Sequence, residues 1–433
     1  MTDPRYLATK LLDKTFRNNS YSNIQLSSGL EKSDLDIKGK KFCTAVYYGV
    51  IQRKITLDYI IKKYCSRPIK KMDSIVVTIL RCGIYQLLFM ENISDSTAVN
   101  ESVALAKKFG KTSAGGMINA VLRNFIRDGK KFVCTGEKFE MISERFSVPI
   151  QLAKSLIDDY GEIKTESFLS HSLVDGFTYI RRNTLKCTDE QLRKSLDGIK
   201  LNTNDNICYW FSGGNIINTD AFKSGFFHVQ DLSSQVCCMV LNPSEKDLVL
   251  DICSAPGGKT FTMAEMMNGS GEIHAFDLHE KRVKLIRDGA ERLGLTNIKA
   301  ETGDALKFNP ELPKYTKILC DVPCSGFGVI RHKPEIKYKN LSDFESLPEI
   351  QYNIAENALK YLAVGGEMVY STCTLRKAEN DEVVKKILEN HPETELIKVP
   401  EIFGKKIENP VTLFPDEILG SDGFFIAKFK KIY

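Results

Sequence analysis

The sequence predicts a multidomain chain, with an all-α domain at the N-terminus and an α/β, Rossmann-like domain at the C-terminus. Three observations predict it. Apolar residues recur at three- and four-residue steps through roughly the first 130 positions. From about residue 247, short apolar runs alternate with helical patterns, the signature of a parallel sheet covered by helices. The charge divides in the same way: residues 1–140 hold 24 Lys+Arg against 13 Asp+Glu, and the remainder 36 against 42, within a formal net charge of +5. A basic helical module joined to a mildly acidic one suggests that the first part meets a polyanion.

In chain order, "PRYLATKLLDKTF" and "DLDIKGKKFCTAVYYGVIQRKITLDYIIKKY" read as amphipathic helices. "DSIVVTILRCGIYQLLFM" is apolar nearly all round and reads as a buried central helix. "STAVNESVALAKKFG" reads as a helix capped by Ser96 or Thr97 and stopped at Gly110. "AGGMINAVLRNFIRDG" is another, and "DGKKFVCTGEKFE" a linker. Residues 141–175 read as helical. "FTYIRRNTL" then reads as a strand, and Thr188 to Gln191 as a capping box. The expected domains are 1–140, a connecting small α/β part over 141–235, and 236–433.

Composition narrows the function. With 42% hydrophobic and 27% charged residues and no apolar run of about 18, a soluble protein without a membrane span is expected. The opening "MTDPRYLATKLLDKTF" has no apolar signal core, so a cytoplasmic location is expected. The 12 cysteines are scattered, with no C-x-x-C pair and no histidine at zinc-ligand spacing; reduced thiols and no metal site are expected.

The chemistry sits in the second half. "DICSAPGGKT", 251–260, falls at a strand-to-helix turn, where Gly257 and Gly258 let backbone approach a ligand beside a helix N-terminus. It is not a triphosphate loop, because position 253, where that motif needs glycine, is Cys253. Asp277 falls at the end of the next strand, where an acidic residue accepts hydrogen bonds from ribose hydroxyls. Asp304, in "TGDA", falls at the end of the third and reaches the same crevice. Together they suit a nucleoside cofactor without phosphates. Asp321 and Cys324 in "CDVPCSGFG" and Cys373 in "VYSTCTL" follow two further strands, so two thiols converge on that crevice. A thiolate beside a nucleoside cofactor suits one chemistry well. Attack at C6 of a pyrimidine turns C5 into an enamine carbon able to accept a methyl group, with Asp321 placed for the ring N3.

"DICSAPGGKT", "DVPCSGFGVIRHKPEIKY", "STCTLRKAEND", "DGFFIAKFKK" and "FKSGFFHVQDLSSQV" closely resemble the RNA cytosine-C5 methyltransferases of the NOL/NOP/Sun family. "GVIQRKITLDYII", "ILRCGIYQLLFM", "AVNESVALAKKFG" and "INAVLRNF" look like the NusB helical domain. The resemblance implies a class I methyltransferase fold and S-adenosyl-L-methionine as cofactor. It implies small-subunit (16S) ribosomal RNA as partner, with the base flipped from an unpaired region of free or partly assembled RNA. A monomer is expected. The resemblance assigns the nucleophile to Cys373 and product release to Cys324. It carries the cofactor loop onto Cys253, Ser254, Ala255, Pro256, Gly257, Gly258 and Lys259, with Asp277 and Asp304 on ribose and adenine and Asp321 near methyl donor and base. Having both thiols points to RNA rather than DNA. Ser254 stands where the family often has Ala, and Arg182 where Val is usual. Two alternatives stay open: the same chemistry on tRNA, and an inert RNA-binding assembly or antitermination factor.

Overall fold

The structure is a computed structural model that describes residues 2–18, 22–213, 216–404 and 406–433. It divides into two compact units, Met1–Leu173 with Ile330–Lys339, and Val174–Val329 with Asn340–Tyr433. No helix among the described residues is long and apolar enough to cross a membrane.

The first unit is all helical: α1 (Pro4–Asn18), α2 (Ser22–Glu31), α3 (Ile37–Gln52), α4 (Lys54–Tyr64), α5 (Ser74–Phe89), α6 (Asp95–Lys108), α7 (Gly115–Arg127), α8 (Lys138–Phe146), α9 (Ile150–Tyr160) and α10 (Glu162–His171). Helix α5 is the expected core helix; it packs against α1, α3, α4, α6 and α7. Twelve of its 16 residues are buried. Arg81 is tolerated there because Asp58 pairs with it through two hydrogen bonds, at 2.7 and 2.8 Å. Gly83 marks a close approach to α6 and α7, since a Cβ there would meet Ser102 Oγ at 2.8 Å and Leu122 at 2.9 Å. The amphipathic stretch leading to Tyr64 is two helices, divided at Arg53, which caps α3 at its C-terminus and α4 at its N-terminus. The cap of α6 is Ser94, not Ser96 or Thr97, and its side chain accepts from the Thr97 backbone. Three hydroxyl residues within four positions compete there, and the one that starts the helix is set by backbone geometry.

Residues 330–339 join this unit despite their distance along the chain. Tyr338 Oη donates to Ile51 O at 2.7 Å, Lys337 Nζ donates to Gln52 O at 2.7 Å, and Ser22 Oγ donates to Glu335 at 2.7 Å.

The second unit opens with an antiparallel sheet of β1 (Thr178–Arg182), β2 (Asn202–Thr203), β3 (Cys208–Phe211) and β4 (Phe227–Val229), in the order β2-β3-β1-β4. Between them lie α11 (Asp189–Ser195), whose Thr188–Gln191 capping box forms as expected, and α12 (Asp220–Lys223). The large sheet follows, with β5 (Leu248–Asp251), β6 (Glu272–Asp277), β7 (Ile298–Thr302), β8 (Tyr315–Asp321), β9 (Leu362–Thr372), β10 (Thr394–Leu396), β11 (Val411–Leu413) and β12 (Phe424–Lys431). Its order is β10-β12-β9-β8-β5-β6-β7, with β11 on β12. Strands β5 to β9 are parallel, but β12 runs antiparallel to β9. The sheet is therefore mixed where the alternation alone suggested a parallel one. Apolar alternation sets which face a side chain takes, not which way a strand runs.

Consecutive strand residues alternate between two cores. Val249, Leu319 and Val369 pack with α13 (Leu232–Leu241), α14 (Gly258–Met266) and α15 (Glu280–Leu293). Leu250, Ile318, Cys320, Met368 and Tyr370 pack with α16 (Leu347–Tyr361) and α17 (Asp381–Asn390). Strand order reverses between β5 and β8, which opens a crevice at their carboxyl ends.

Candidate active site

Three chain segments meet at that crevice. The first is the turn from β5 into α14. Ser254 fixes it to β6, donating both its backbone N–H and its hydroxyl to Phe276 O at 2.8 Å. The Ala255–Pro256 peptide is cis. Gly257 takes φ +105°, and a Cβ there would lie 2.5 Å from the Phe261 ring. Only glycine meets both conditions, and α14 begins at the next residue with its first N–H groups free of helical acceptors. Cys253 opens this turn, and burial pushes its thiol well above the ordinary range, which disfavours the reactive thiolate.

Asp277, at the end of β6, is buried with Arg282 Nη1 at 2.9 Å and the His279 N–H at 3.2 Å. Arg282 also donates to Ala255 O at 2.8 Å, so it ties the Asp277 carboxylate to the glycine turn. Asp304 lies two residues past the end of β7, not on the strand end itself, and accepts from Leu306 N at 3.1 Å with Lys307 at 3.2 Å. It borders an open cleft of about 540 Å³ with Ile252, Phe276, Gly303, Ala305 and Tyr361. Asp277 does not line that cleft.

The second segment follows β8. Asp321 ends the strand and takes a hydrogen bond from Lys259 Nζ at 2.8 Å and another from Ser371 Oγ at 2.8 Å. Burial works against the Lys259 charge, but the Asp321 carboxylate outweighs it and holds the amine well above its usual value. The neighbouring Asp251 carboxyl, fully buried with Thr260 Oγ1 at 2.7 Å, is pushed up to about 7 by burial.

The third segment follows β9. Cys373 is the first residue past the strand and Cys324 the third past β8; their Sγ atoms lie 3.3 Å apart. Gly328 N donates to Cys373 O at 3.0 Å, which joins the two loops through backbone. The hydrogen bond with Cys373, and then burial, hold the Cys324 thiol well above its usual range, so Cys324 keeps its proton. These two thiols are half-buried at the mouth of the sheet. By contrast Cys237, pushed up to about 12 by burial, and Cys320, which burial also holds well above its usual range, are buried fillers. The proximity of the thiols follows from β8 and β9 being neighbours.

Sequence reasoning missed Ser371, Glu379 and Asn380, which carry hydrogen bonds to Asp321 and to both thiol loops. Ser371 lies within β9, and Glu379 and Asn380 lie in the polar run "RKAEND" leading into α17, which reads from the sequence only as a helix cap. Arg182 is engaged internally, donating to Asn206 O at 2.8 Å and to Cys187 O at 2.5 Å.

Two family models match the chain: one described as 16S rRNA methyltransferase RsmB/F over residues 238–430, and the NusB family over residues 2–127. The probable ribosomal RNA small subunit methyltransferase B of Bacillus subtilis (strain 168) is 35% identical over 99% of both chains. That of Synechocystis sp. is 31% identical over 100% of both. Among solved structures, that of PH0851 superposes with a TM-score of 0.82 at 23% identity, covering 100% of this chain and 99% of that one. A methyltransferase homolog from Pyrococcus horikoshii gives 0.59 at 27% identity, covering 69% of this chain and 100% of that one.

Proposed function

The chain belongs to the 16S rRNA methyltransferase RsmB/F family, and from that premise we propose that it methylates C5 of one cytosine in small-subunit ribosomal RNA through a covalent adduct on Cys373. It is an S-adenosyl-L-methionine-dependent enzyme. We read it as a cytoplasmic monomer acting on free or partly assembled RNA.

The residues present fit that cofactor. The glycine turn Cys253–Lys259 leaves no room for a side chain at Gly257, Asp277 presents a buried carboxylate for ribose hydroxyls, and the cleft beside Asp304 offers Phe276 and Ile252 to an aromatic base. Bound there, S-adenosyl-L-methionine supplies the sulfonium methyl group that C5 takes.

The chain's own residues do the rest. The Cys373 thiol gives up its proton and its sulfur attacks C6 of the flipped cytosine, forming the S–C6 bond. The C5=C6 electron pair moves into the ring, and N3 gains a proton that balances the one lost by the thiol. The Asp321 carboxylate accepts the N3–H, with Lys259 and Ser371 fixing its two oxygens. After methylation the C5 proton leaves to water, the C5=C6 bond re-forms and the C6–S bond breaks. Cys324, which keeps its proton until then, donates its S–H to the departing Cys373 sulfur, and the proton that leaves N3 as the cytosine ring returns to neutrality restores the Cys324 thiol through water.

The observation that carries this reading is the 3.3 Å separation of Cys324 and Cys373 beside the Lys259–Asp321 pair. Its test is a denaturing gel of Cys324→Ala mixed with small-subunit rRNA and S-adenosyl-L-methionine. A protein–RNA band that survives denaturant, and is lost on adding Cys373→Ala, is expected. Absence of a band with methylation still proceeding would remove Cys324 from release. If wild type methylates bulk tRNA and not rRNA, the substrate assignment is wrong.

A further inference from the structure

We propose that two consecutive residues, Glu379 and Asn380, are the positioning residues of the two thiols, Glu379 for Cys324 and Asn380 for Cys373. The proposal rests on the roles given to those cysteines above.

Glu379 is fully buried. Its Oε1 accepts from Ser325 Oγ at 2.6 Å and Arg376 Nη1 at 3.1 Å; its Oε2 accepts from Ser325 N at 2.9 Å and Gln351 Nε2 at 3.0 Å. Gln351 Nε2 also donates to Pro323 O at 2.9 Å. Both neighbours of Cys324 are therefore tied to one carboxylate, Ser325 directly and Pro323 through Gln351. Asn380, also fully buried, does the same for Cys373. Its Oδ1 accepts from Thr372 Oγ1 at 2.6 Å, and its Nδ2 donates to Thr374 O at 3.0 Å. Neither residue is bonded to a sulfur; each holds the backbone and side chains on both sides of one.

The frame is closed twice. Ser325 Oγ and Thr374 Oγ1 lie 2.8 Å apart, linking the Cys324 loop to the Cys373 loop. Tyr370 Oη donates to Glu379 O at 2.6 Å, which fixes the pair to β9. The loop after β8 needs such a brace, because Gly326 at φ +75° and Gly328 give it little stiffness of its own. Four donors converge on the Glu379 carboxylate, and all must be met in a buried site. A glutamine there turns an amide donor toward two of them. Thiol placement matters because a displacement of about 1 Å at a reacting group costs about a hundredfold in rate.

The test compares full-length Glu379→Gln and Asn380→Ala with Cys324→Ala and Cys373→Ala. The readouts are initial methylation of rRNA, the denaturant-stable adduct and the dissociation constant for S-adenosyl-L-methionine. Glu379→Gln should behave as a weakened Cys324→Ala: turnover falls about tenfold or more and adduct accumulates. Asn380→Ala should behave as a weakened Cys373→Ala: turnover falls by a similar factor with no adduct, and cofactor affinity stays within about twofold in both. Loss of adduct in both variants, or of cofactor binding in either, would make the pair merely structural and overturn the division of roles. If Cys324→Ala traps no adduct, the cysteine reading fails and takes this proposal with it. If Cys324→Ala traps adduct and Glu379→Gln does not, this proposal alone fails. Should Glu379→Gln not fold, Gln351→Met, which removes only the donor to Pro323 O and Glu379, carries the same test: adduct must accumulate, and its absence overturns the proposal.

Discussion

Lys259 Nζ and Asp321 Oδ2 lie 2.8 Å apart at the point where strand order reverses, while Ser371 Oγ holds the other Asp321 oxygen. The pair joins the glycine turn to the carboxyl end of β8 and is largely withdrawn from water, with side-chain exposures of 15% and 27%. Lys259→Met keeps the length and apolar stem but leaves Asp321 with one fixed oxygen. Turnover should fall about a hundredfold, the scale for losing one preorganised polar contact, and the melting temperature should drop as well, because the Asp321 carboxylate loses its partner in a largely dry site. Initial rates and thermal melts check it. A rate within a few-fold of wild type would place the base contact elsewhere.

The glycine turn should be intolerant of a single methyl group. Gly257→Ala puts a Cβ 2.5 Å from the Phe261 ring at φ +105°. Strain of about 1–3 kcal/mol from that conformation adds to the clash. Weaker S-adenosyl-L-methionine binding, by about tenfold or more, and a lower melting temperature are expected together. Calorimetric titration and melting of the same preparation read both. An unchanged affinity would show that the turn does not cradle the cofactor.

Much of this architecture was legible because the local pattern and the tertiary outcome agree. The stretch at 73–90, apolar nearly all round, reads as a core helix, and α5 is one. The thiols were legible because each sits just past a strand, and neighbouring parallel strands bring their ends together. The braces at Glu379 and Asn380 were not. A polar run before a helix reads as a cap, and nothing in "RKAEND" says that Glu379 turns back onto a loop 54 residues earlier and Asn380 onto the residues on either side of Cys373. The membership of 330–339 in the helical unit was equally hidden, since it rests on Glu335, Lys337 and Tyr338 meeting groups roughly 190 to 310 positions away in sequence.

The neighbouring arginines 181 and 182 separate a structural charge from an accessory one. Arg181 Nε lies 3.0 Å from Glu265 Oε2, with side-chain exposures of 5% and 0%. Removing one partner strands the other in the core, so Arg181→Met should cost about 3–5 kcal/mol. Arg182→Met loses only hydrogen bonds to backbone carbonyls and should cost about 1–2 kcal/mol. Urea unfolding of both variants checks the ranking. Equal losses would mean that Glu265 is compensated by His228, whose Nδ1 lies 3.4 Å away.

Lys337 should give the helical unit a stability that rises with pH. Its amine is buried, donates to Gln52 O at 2.7 Å, and is brought down from 10.5 to about 7 by burial and then by the Arg53 charge. The folded state therefore releases this proton near pH 7, whereas the unfolded chain holds it until about 10.5. Between those values the unfolded state binds more protons, so raising the pH favours folding; below about 7 both states are charged and the folded one bears the cost of the buried ammonium. Lys337→Met has no proton to lose. In the variant Gln52 O keeps only a share of the single Tyr338 Oη proton, at 3.2 Å, since that hydroxyl donates mainly to Ile51 O at 2.7 Å. The variant should match or exceed wild type in melting temperature below pH 7, and wild type should gain on it steadily up to about pH 10. Thermal melts of the two proteins across that range decide it. A constant difference between them would mean that the Lys337 amine stays charged in the folded protein, with water reaching it through the 330–339 segment.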